Sequence, residues 1–313
     1  MYTTAVFRSG FCAIIGRPNV GKSTLLNQLL GEKLAVVTPK PQTTRNRILG
    51  VKNRPDAQLV LVDTPGVHRG KSNLNKYMVE QALSAAGECD VVLYMVEAPR
   101  VAAATLADKS FDPGEGNQLI LDKLAQLKCP VVLGINKVDL LTDKAALLPL
   151  IDHYTRLGQG KFREIVPIAA KNSDGLDRLE NAIVACLPEG PALFPEEMLT
   201  DRAERFLAAE LVREQLFLLL GQEVPYSTAV TVESWKERAD KKDVVIDALI
   251  HVERESQRKI VIGQNGSMVK EIGSKARVEI SRLLGLPVHL KLLVKIDPDW
   301  TSKPGALRRL GYE

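Results

Sequence analysis

Residues 11–24 read Phe11-Cys12-Ala13-Ile14-Ile15-Gly16-Arg17-Pro18-Asn19-Val20-Gly21-Lys22-Ser23-Thr24, and this stretch decides the fold. The apolar run ending at Ile15 predicts a buried strand, and Lys22–Leu30 predicts a helix. Between them lies a Gly-x-x-x-x-Gly-Lys-Ser loop. Glycines there let backbone N–H groups curl around phosphate oxygens at the positive end of a helix dipole. Lys22 is then the candidate cation for the β- and γ-phosphates of a nucleotide, and the Ser23 hydroxyl a candidate Mg²⁺ ligand. Every residue from Gly16 to Thr24 becomes a candidate nucleotide contact.

Three further motifs follow in chain order: Thr43-Thr44, Asp63-Thr64-Pro65-Gly66 and Asn136-Lys137-Val138-Asp139. Asp-x-x-Gly alone carries nothing, since about one copy is expected by accident in a chain this long, whereas the phosphate-loop pattern arises in roughly 1% of such chains. The weight therefore rests on the order and on the placement of each motif after a strand. Asp63 is expected to hold Mg²⁺ through water. The Gly66 N–H is expected to meet the γ-phosphate, so that the loop after it responds to hydrolysis. Thr44, or its neighbour Thr43, supplies a second hydroxyl to the metal. Lys22, Thr44 and Gly66 are thus the catalytic candidates, and Thr64 and Pro65 join the nucleotide contacts.

Asn136, Lys137 and Asp139 select the base. A carboxylate at Asp139 can accept from both N1–H and the exocyclic amine of guanine, and adenine has neither donor there. A buried acceptor left unpaired rejects the wrong base strongly.

Strand-like and helix-like segments alternate through residues 1–187. Short β-branched runs at Gln58–Val62, Val91–Val96, Val131–Ile135 and Ile165–Ile168 are separated by helical patterns near Leu74–Ala86, Gln118–Leu127 and Leu176–Leu187. This predicts a mostly parallel sheet with helices on both faces. Asn46–Lys52 and Ala57–Val62, joined by Asn53-Arg54-Pro55-Asp56, read as an antiparallel hairpin at one edge. Ligands of such sheets sit beyond the carboxyl ends of the strands, where all the motifs fall. Ala98–Gly116 reads as an exposed excursion without a functional reading.

Pro188, Gly190, Pro191 and Pro195 stop the helical pattern, and residues 188–201 are expected to be a linker to a second domain, 202–313. Its pattern is helix, strand, strand, helix, helix, strand, with a helix over Ala203–Leu220 and strands at Tyr226–Glu233, Val244–Val252 and Pro287–Ile296. Gly263-Gln264-Asn265-Gly266 stands between the two middle helices, the second carrying Val269, Ile272, Ala276, Ile280 and Leu283 on one side. Two glycines at such a corner let a nucleic-acid backbone approach closely, the signature of a KH domain clamping about four nucleotides of single strand. From Arg254 to Arg282 there are seven basic residues against three acidic ones, a balance that suits phosphate contacts. Arg258, Lys259, Gly263, Gln264, Asn265, Gly266 and Lys270 are the candidate RNA contacts. A second basic group, Lys40, Arg45 and Arg47, could sense RNA from the first domain.

Composition bounds the reading. With 313 residues, two domains are expected. A net charge of +4 does not by itself demand a nucleic-acid partner. The four cysteines, Cys12, Cys89, Cys129 and Cys186, contain no Cys-x-x-Cys pair, and three of them read as buried reduced thiols of a cytosolic protein. No signal peptide or membrane-spanning apolar run is seen, so any membrane contact would be peripheral.

On these motifs residues 1–187 resemble the small GTPases of the translation-factor-related class. With Pro41-Gln42-Thr43-Thr44-Arg45, Asp63-Thr64-Pro65-Gly66 and the second domain, the whole chain resembles the Era family of bacterial ribosome-assembly GTPases. The resemblance implies an α/β P-loop GTPase domain followed by an α+β KH domain of the bacterial type. It implies GTP and GDP with Mg²⁺, hydrolysis of GTP to GDP and phosphate, and the 3′ end of small-subunit ribosomal RNA and the small ribosomal subunit as partners. A cytoplasmic monomer is expected, with peripheral contact at the inner face of the membrane left open. Val67 stands where related GTPases often carry a water-orienting glutamine, which implies slow intrinsic turnover. Asn19 matches an asparagine that helps bind K⁺ beside the phosphates in related GTPases. Such an ion supplies the positive charge an arginine finger otherwise would. Where the family usually has Ser-Ala in the last guanine-contacting loop, this chain has Ala169-Ala170-Lys171; the Ala170 N–H is expected to meet guanine O6. Two alternatives stay open: an RNA chaperone using GTP as a conformational ligand, and a peripheral-membrane cell-cycle switch.

Overall fold

The computed structural model describes residues 6–68, 72–99, 115–221 and 223–312. It divides into two units. The first takes in Met1–Ala35, Thr44–Gly70 and Met78–Asp201; the second takes in Arg202–Glu313 together with Val36–Thr43 and Lys71–Tyr77.

The first unit is built on a six-stranded sheet of order β2-β3-β1-β4-β5-β6, comprising β1 (Arg8–Gly16), β2 (Ile48–Asn53), β3 (Ala57–Asp63), β4 (Val91–Glu97), β5 (Val131–Asn136) and β6 (Phe162–Pro167). Only the edge strand β2 runs antiparallel, paired with β3 through the expected hairpin; the other pairs are parallel. Both faces are covered, which is why β3, β4 and β5 read as apolar runs rather than alternating patterns. Helices α1 (Lys22–Leu30), α2 (Asn73–Glu88), α3 (Glu115–Gln126), α4 (Leu147–Gly158) and α5 (Leu176–Val184) complete the unit, α2 beginning in the segment grouped with the second unit. Helix α1 stops at Gly31, whose left-handed backbone (φ 74°) sends its N–H to the Asn27 carbonyl at 2.9 Å.

Residues 188–201 are not a free linker. Gln58, fully buried on β3, accepts from the Leu193 and Phe194 N–H groups at 2.6 and 2.8 Å and donates to the Phe194 carbonyl at 2.8 Å. Ser9 reaches the Pro191 carbonyl at 2.6 Å, and the Val51 N–H reaches the Leu199 carbonyl at 2.9 Å. One buried amide thus satisfies three polar groups of a passing segment and keeps it on the first unit. Of the cysteines only Cys12 is buried; Cys89, Cys129 and Cys186 are half-buried free thiols. Most of the Ala98–Gly116 excursion lies outside the described residues.

The second unit has the order α6 (Glu204–Leu219), β7 (Ala229–Arg238), β8 (Asp243–Val252), α7 (Glu255–Ile262), α8 (Ser267–Leu284), β9 (Val288–Ile296) and a short α9 (Pro304–Arg309). β8 is central, antiparallel to β7 and parallel to β9. Ile272, Ala276 and Ile280 of α8 are fully buried against the alternate residues Val244, Ile246, Ile250 and Val252 of β8. A spacing of three to four on the helix thus meets a spacing of two on the strand. Val269 and Leu283 pack at the edge of this core.

Candidate nucleotide site and nucleic-acid corner

Four loops converge at the carboxyl ends of β1, β3, β5 and β6, and their packing explains their glycines. A Cβ on Gly21 would stand 2.2 Å from Asn136 Nδ2, and Gly21 has φ 100°. A Cβ on Gly66 would stand 2.7 Å from the Pro18 backbone, and one on Gly16 2.5 Å from the Met95 carbonyl oxygen. The Val67 N–H donates to the Gly16 carbonyl at 3.0 Å, and the Thr64 hydroxyl to the Ile14 carbonyl at 2.7 Å. The phosphate loop and the Asp63–Gly66 loop therefore lie directly against each other.

Asp63 is fully buried. Its Oδ2 accepts from Ser23 Oγ at 2.7 Å and Thr44 Oγ1 at 3.3 Å, and those two hydroxyls are 2.8 Å apart. Its Oδ1 is buried and meets no hydrogen-bond partner among the described residues. Burial raises the Asp63 pKa, while Lys22 and the two hydroxyls act to lower it. An orphaned carboxylate oxygen beside two hydroxyls is a hard, anionic oxygen set that fits Mg²⁺. The tandem threonines are resolved by direction: Thr43 Oγ1 turns away to Thr38 Oγ1 and the Lys40 carbonyl, both at 2.8 Å.

Lys22 is buried, its Nζ donating to the Gly16 and Arg17 carbonyls at 3.3 and 3.1 Å. Burial lowers its pKa to about 8, with Asp63 pulling it back up. Its hydrogen-bond partners are neutral carbonyls and burial outweighs the pull of Asp63, so an anionic ligand is favoured there. Asn19 stands exposed on the loop with φ 64°, and Thr24 is half-buried in the first turn of α1.

On the base side, Asn136 acts as a brace. Its Nδ2 donates to the Val20 carbonyl at 2.7 Å and its Oδ1 accepts from the Ala170 N–H at 2.9 Å. The Ala170 N–H, expected to point at the base, is therefore committed to Asn136. Lys137 has left-handed backbone (φ 64°) and an ion pair to Glu97 at 2.6 Å. Asp139, expected as a buried acceptor, is exposed on a single 3₁₀ turn, with Asn172 Nδ2 at 3.4 Å. Ala169 and Ala170 are buried and Lys171 exposed. The loop lacks a serine hydroxyl, yet it is closed by backbone: Ala169 bridges to Asp174, and the Asn172 N–H reaches the Ala169 carbonyl at 3.0 Å. Val67 is fully buried in the core of the first unit, so its side chain cannot touch a water at the phosphates.

The corner of the second unit is a different object. Gly263 has φ 74°, and a Cβ there would meet Met268 Cβ at 2.6 Å, whereas Gly266 (φ 76°) faces open space. Gln264 and Asn265 between them are exposed, Asn265 itself left-handed at φ 51°. The N-terminus of the 18-residue α8 begins there, adding the positive end of a helix dipole. Lys259 and Lys270 are exposed on either side. The charge is less free than the sequence count implied: Arg258 pairs with Glu255 at 3.4 Å, Lys275 with Glu271 at 2.8 Å and Arg282 with Glu279 at 2.7 Å. These exposed pairs are weak and can reopen toward a phosphate. The second basic group does not offer itself to RNA. Arg45 is 1% exposed, Arg47 bonds Glu88 and the Gln81 carbonyl, and Lys40 Nζ donates to the Phe217 and Leu220 carbonyls.

A phosphate loop, a buried carboxylate–hydroxyl cluster and a base-side loop on one mostly parallel sheet define a P-loop GTPase, here followed by a KH fold. Comparison agrees at both levels. Residues 11–137 match the family model described as 50S ribosome-binding GTPase, and residues 223–301 match the KH domain. The GTPase Era of Geobacter metallireducens is 53% identical over 306 residues, covering 98% of each chain. That of Lactobacillus delbrueckii subsp. bulgaricus is 44% identical over 313 residues, covering 100% of this chain and 99% of its own. Among solved structures, an Aquifex aeolicus Era variant bound to GDP and AlF4⁻, and an Era complex with MgGDPNP and nucleotides 1506–1542 of 16S ribosomal RNA, each match with TM-score 0.90 and 42% identity over 98% of this chain and 99% of theirs. The chain belongs to the Era family of GTPases, and it hydrolyses GTP.

Proposed function

We propose that the chain binds GTP and Mg²⁺ at the converging loops, and binds the 3′ end of small-subunit ribosomal RNA at the Gly263–Gly266 corner. It then acts in small-subunit assembly as a cytoplasmic monomer. The domains are the GTPase over 1–187, with 188–201 as its strap, and the KH module over 202–313. The observation that carries the reading is the cluster of buried Asp63 and Thr44 with half-buried Ser23, beside a buried Lys22 whose hydrogen bonds go to neutral carbonyls. The RNA assignment draws on the relative solved with a 16S fragment.

Gly16–Gly21 and the start of α1 would present backbone N–H groups to the phosphates, with Lys22 on the β- and γ-oxygens. Mg²⁺, held by Ser23, Thr44 and Asp63, would neutralise phosphate charge. The Gly66 N–H would sense the γ-phosphate, and Asp139 would accept from guanine, with Asn136 keeping its loop in place. Because Val67 is buried, no side chain there orients the attacking water, and turnover rests on positioning and charge. Asn19 is the residue we assign to a K⁺ that adds such charge.

Multiple-turnover hydrolysis by the purified chain tests this, in K⁺ and in Na⁺ at equal ionic strength, with and without a 3′-terminal small-subunit RNA oligonucleotide. Slow turnover, faster in K⁺, is expected, with the K⁺ advantage flattened by Asn19→Ala. Stoichiometric binding without turnover under every condition would favour a chaperone using GTP as a conformational ligand.

A further inference from the structure

We infer that Gln257 is a positioning residue for RNA binding, fixing the direction in which α7 delivers the Gly263–Gly266 corner. This rests on the reading of that corner as the RNA site, and all the residues involved lie within Arg202–Glu313 of the second unit. Helix α7 is short, eight residues and about 12 Å long. Val261 is its one buried side chain. A single apolar anchor fixes a point on a helix and leaves its axis free to pivot. Gln257 stands four residues earlier on the same face and supplies the second point. Its Oε1 accepts from the Glu253 and Arg254 N–H groups at 2.9 and 3.1 Å, and its Nε2 donates to Ser227 Oγ at 2.8 Å.

The residue before the helix creates the need. Arg254 is the N-cap, and a guanidinium has no acceptor to offer the first N–H groups. The glutamine at the third helical position therefore makes the reach-back half of a capping box. Its amide nitrogen adds what a cap alone lacks, a tie to Ser227 at the end of the 3₁₀ turn Val224–Ser227. That turn is itself held. Ser227 Oγ donates to the Val224 carbonyl at 3.2 Å, and the Ser227 carbonyl accepts from the indole N–H of the fully buried Trp300 at 2.9 Å. Glu253 Oε1 accepts from the Thr301 N–H and hydroxyl at 3.2 and 2.7 Å. The start of α7 is thus fastened to two turns of its own unit. From there the ladder runs on: the Arg258 N–H meets the Arg254 carbonyl at 3.0 Å, and the Gly263 N–H meets the Lys259 carbonyl at 2.9 Å. Continuous helix between Gln257 and Gly263 leaves no hinge, so a tilt at the entry moves the corner.

The test uses the full chain and reads Kd for a 3′-terminal small-subunit RNA oligonucleotide, kcat for GTP without RNA, Tm, and the ¹⁵N-glycine amide signals of the RNA-free protein. Gln257→Leu removes all three hydrogen bonds at similar size. It is expected to weaken RNA binding about tenfold, within the range of one lost helix cap, to shift the Gly263 and Gly266 signals, and to leave kcat unchanged. Gln257→Glu keeps acceptors for the Glu253 and Arg254 N–H groups. It should hold both signals and most of the affinity, at salt that screens the added charge. Val212→Ala, which opens the core of the unit on α6, should lower Tm with RNA affinity kept. Full RNA affinity in Gln257→Leu would overturn the proposal. So would a loss with both glycine signals in place, which makes Gln257 a contact, or an equal loss in Val212→Ala, which makes it a matter of stability alone. If instead the Gln264→Asp, Asn265→Asp variant binds RNA undiminished, the corner reading itself fails.

Discussion

The loop cluster at residues 16–23, 63–67 and 136–139 and the corner at 263–266 both use paired glycines to receive phosphates, yet they are built oppositely. At the first, glycines are demanded from within: Gly16, Gly21 and Gly66 each have another loop's atoms where a Cβ would stand. The carboxylate is fully buried and the lysine nearly so, and both have shifted pKa values. At the corner only Gly263 is crowded; Gly266 faces open space, and the side chains between them are exposed. One region is a preorganised pocket that specifies a small anion and its metal. The other is an open edge that accepts a long polyanion by shape and charge. Their sensitivity to substitution should differ accordingly.

The largest expected effect is on base choice. Asp139→Asn should invert the preference between GTP and xanthosine triphosphate, changing the ratio of affinities by about 10², the scale of about 1–3 kcal/mol for one polar group left unpaired at an exposed acceptor. Competition binding with both nucleotides measures it; an unchanged ratio would remove Asp139 from base reading, and RNA affinity should not move in either case.

At the corner the effect is smaller and depends on salt. Replacing Gln264 and Asn265 with aspartates should weaken RNA binding about tenfold at low salt, because like charges meet at the closest backbone approach. GTP affinity should stay at the wild-type value. Undiminished RNA binding in the folded variant would make the corner a packing device only.

The smallest effect comes from pH and should be confined to the pocket. Lys22 must carry its proton to pair with phosphate, and in the ligand-free protein it titrates near pH 8. A bound polyphosphate raises that pKa. Below about pH 7 the lysine is charged in both states and GTP affinity is flat. Through pH 8 binding comes to take up a proton, so affinity should fall about fourfold by pH 8.5 relative to pH 7. A flat profile to pH 9 would mean that Lys22 stays charged without ligand.

The residues of both regions were legible in the sequence because each motif is local: a strand, a loop and a helix start within about ten residues. The sheet followed from apolar runs, and the amphipathic face of α8 from its spacing. Long-range hydrogen bonds left no such trace. Gln58 reads as an ordinary strand residue, yet it pins residues 193–194; Pro188 and Pro191 end a helix without telling whether the chain leaves the surface. Helix α4 shows no clear period in the sequence because Leu147, Leu148, Pro149 and Leu150 mask it. Base chemistry asks for an enclosed acceptor at Asp139, while the three-residue turn that carries it leaves it exposed. Lys40 stands next to the recognised threonines, but its partners are 177 and 180 residues away.

In the proposed function one chain reads GTP at the pocket and a defined RNA at the corner. Crosslinking in cells followed by sequencing of the bound RNA tests it most directly, using the wild type and the Gln264→Asp, Asn265→Asp variant at equal expression. Reads should concentrate at the 3′ end of small-subunit ribosomal RNA for the wild type and be lost in the variant. No enrichment there, or the same enrichment in both proteins, would contradict it.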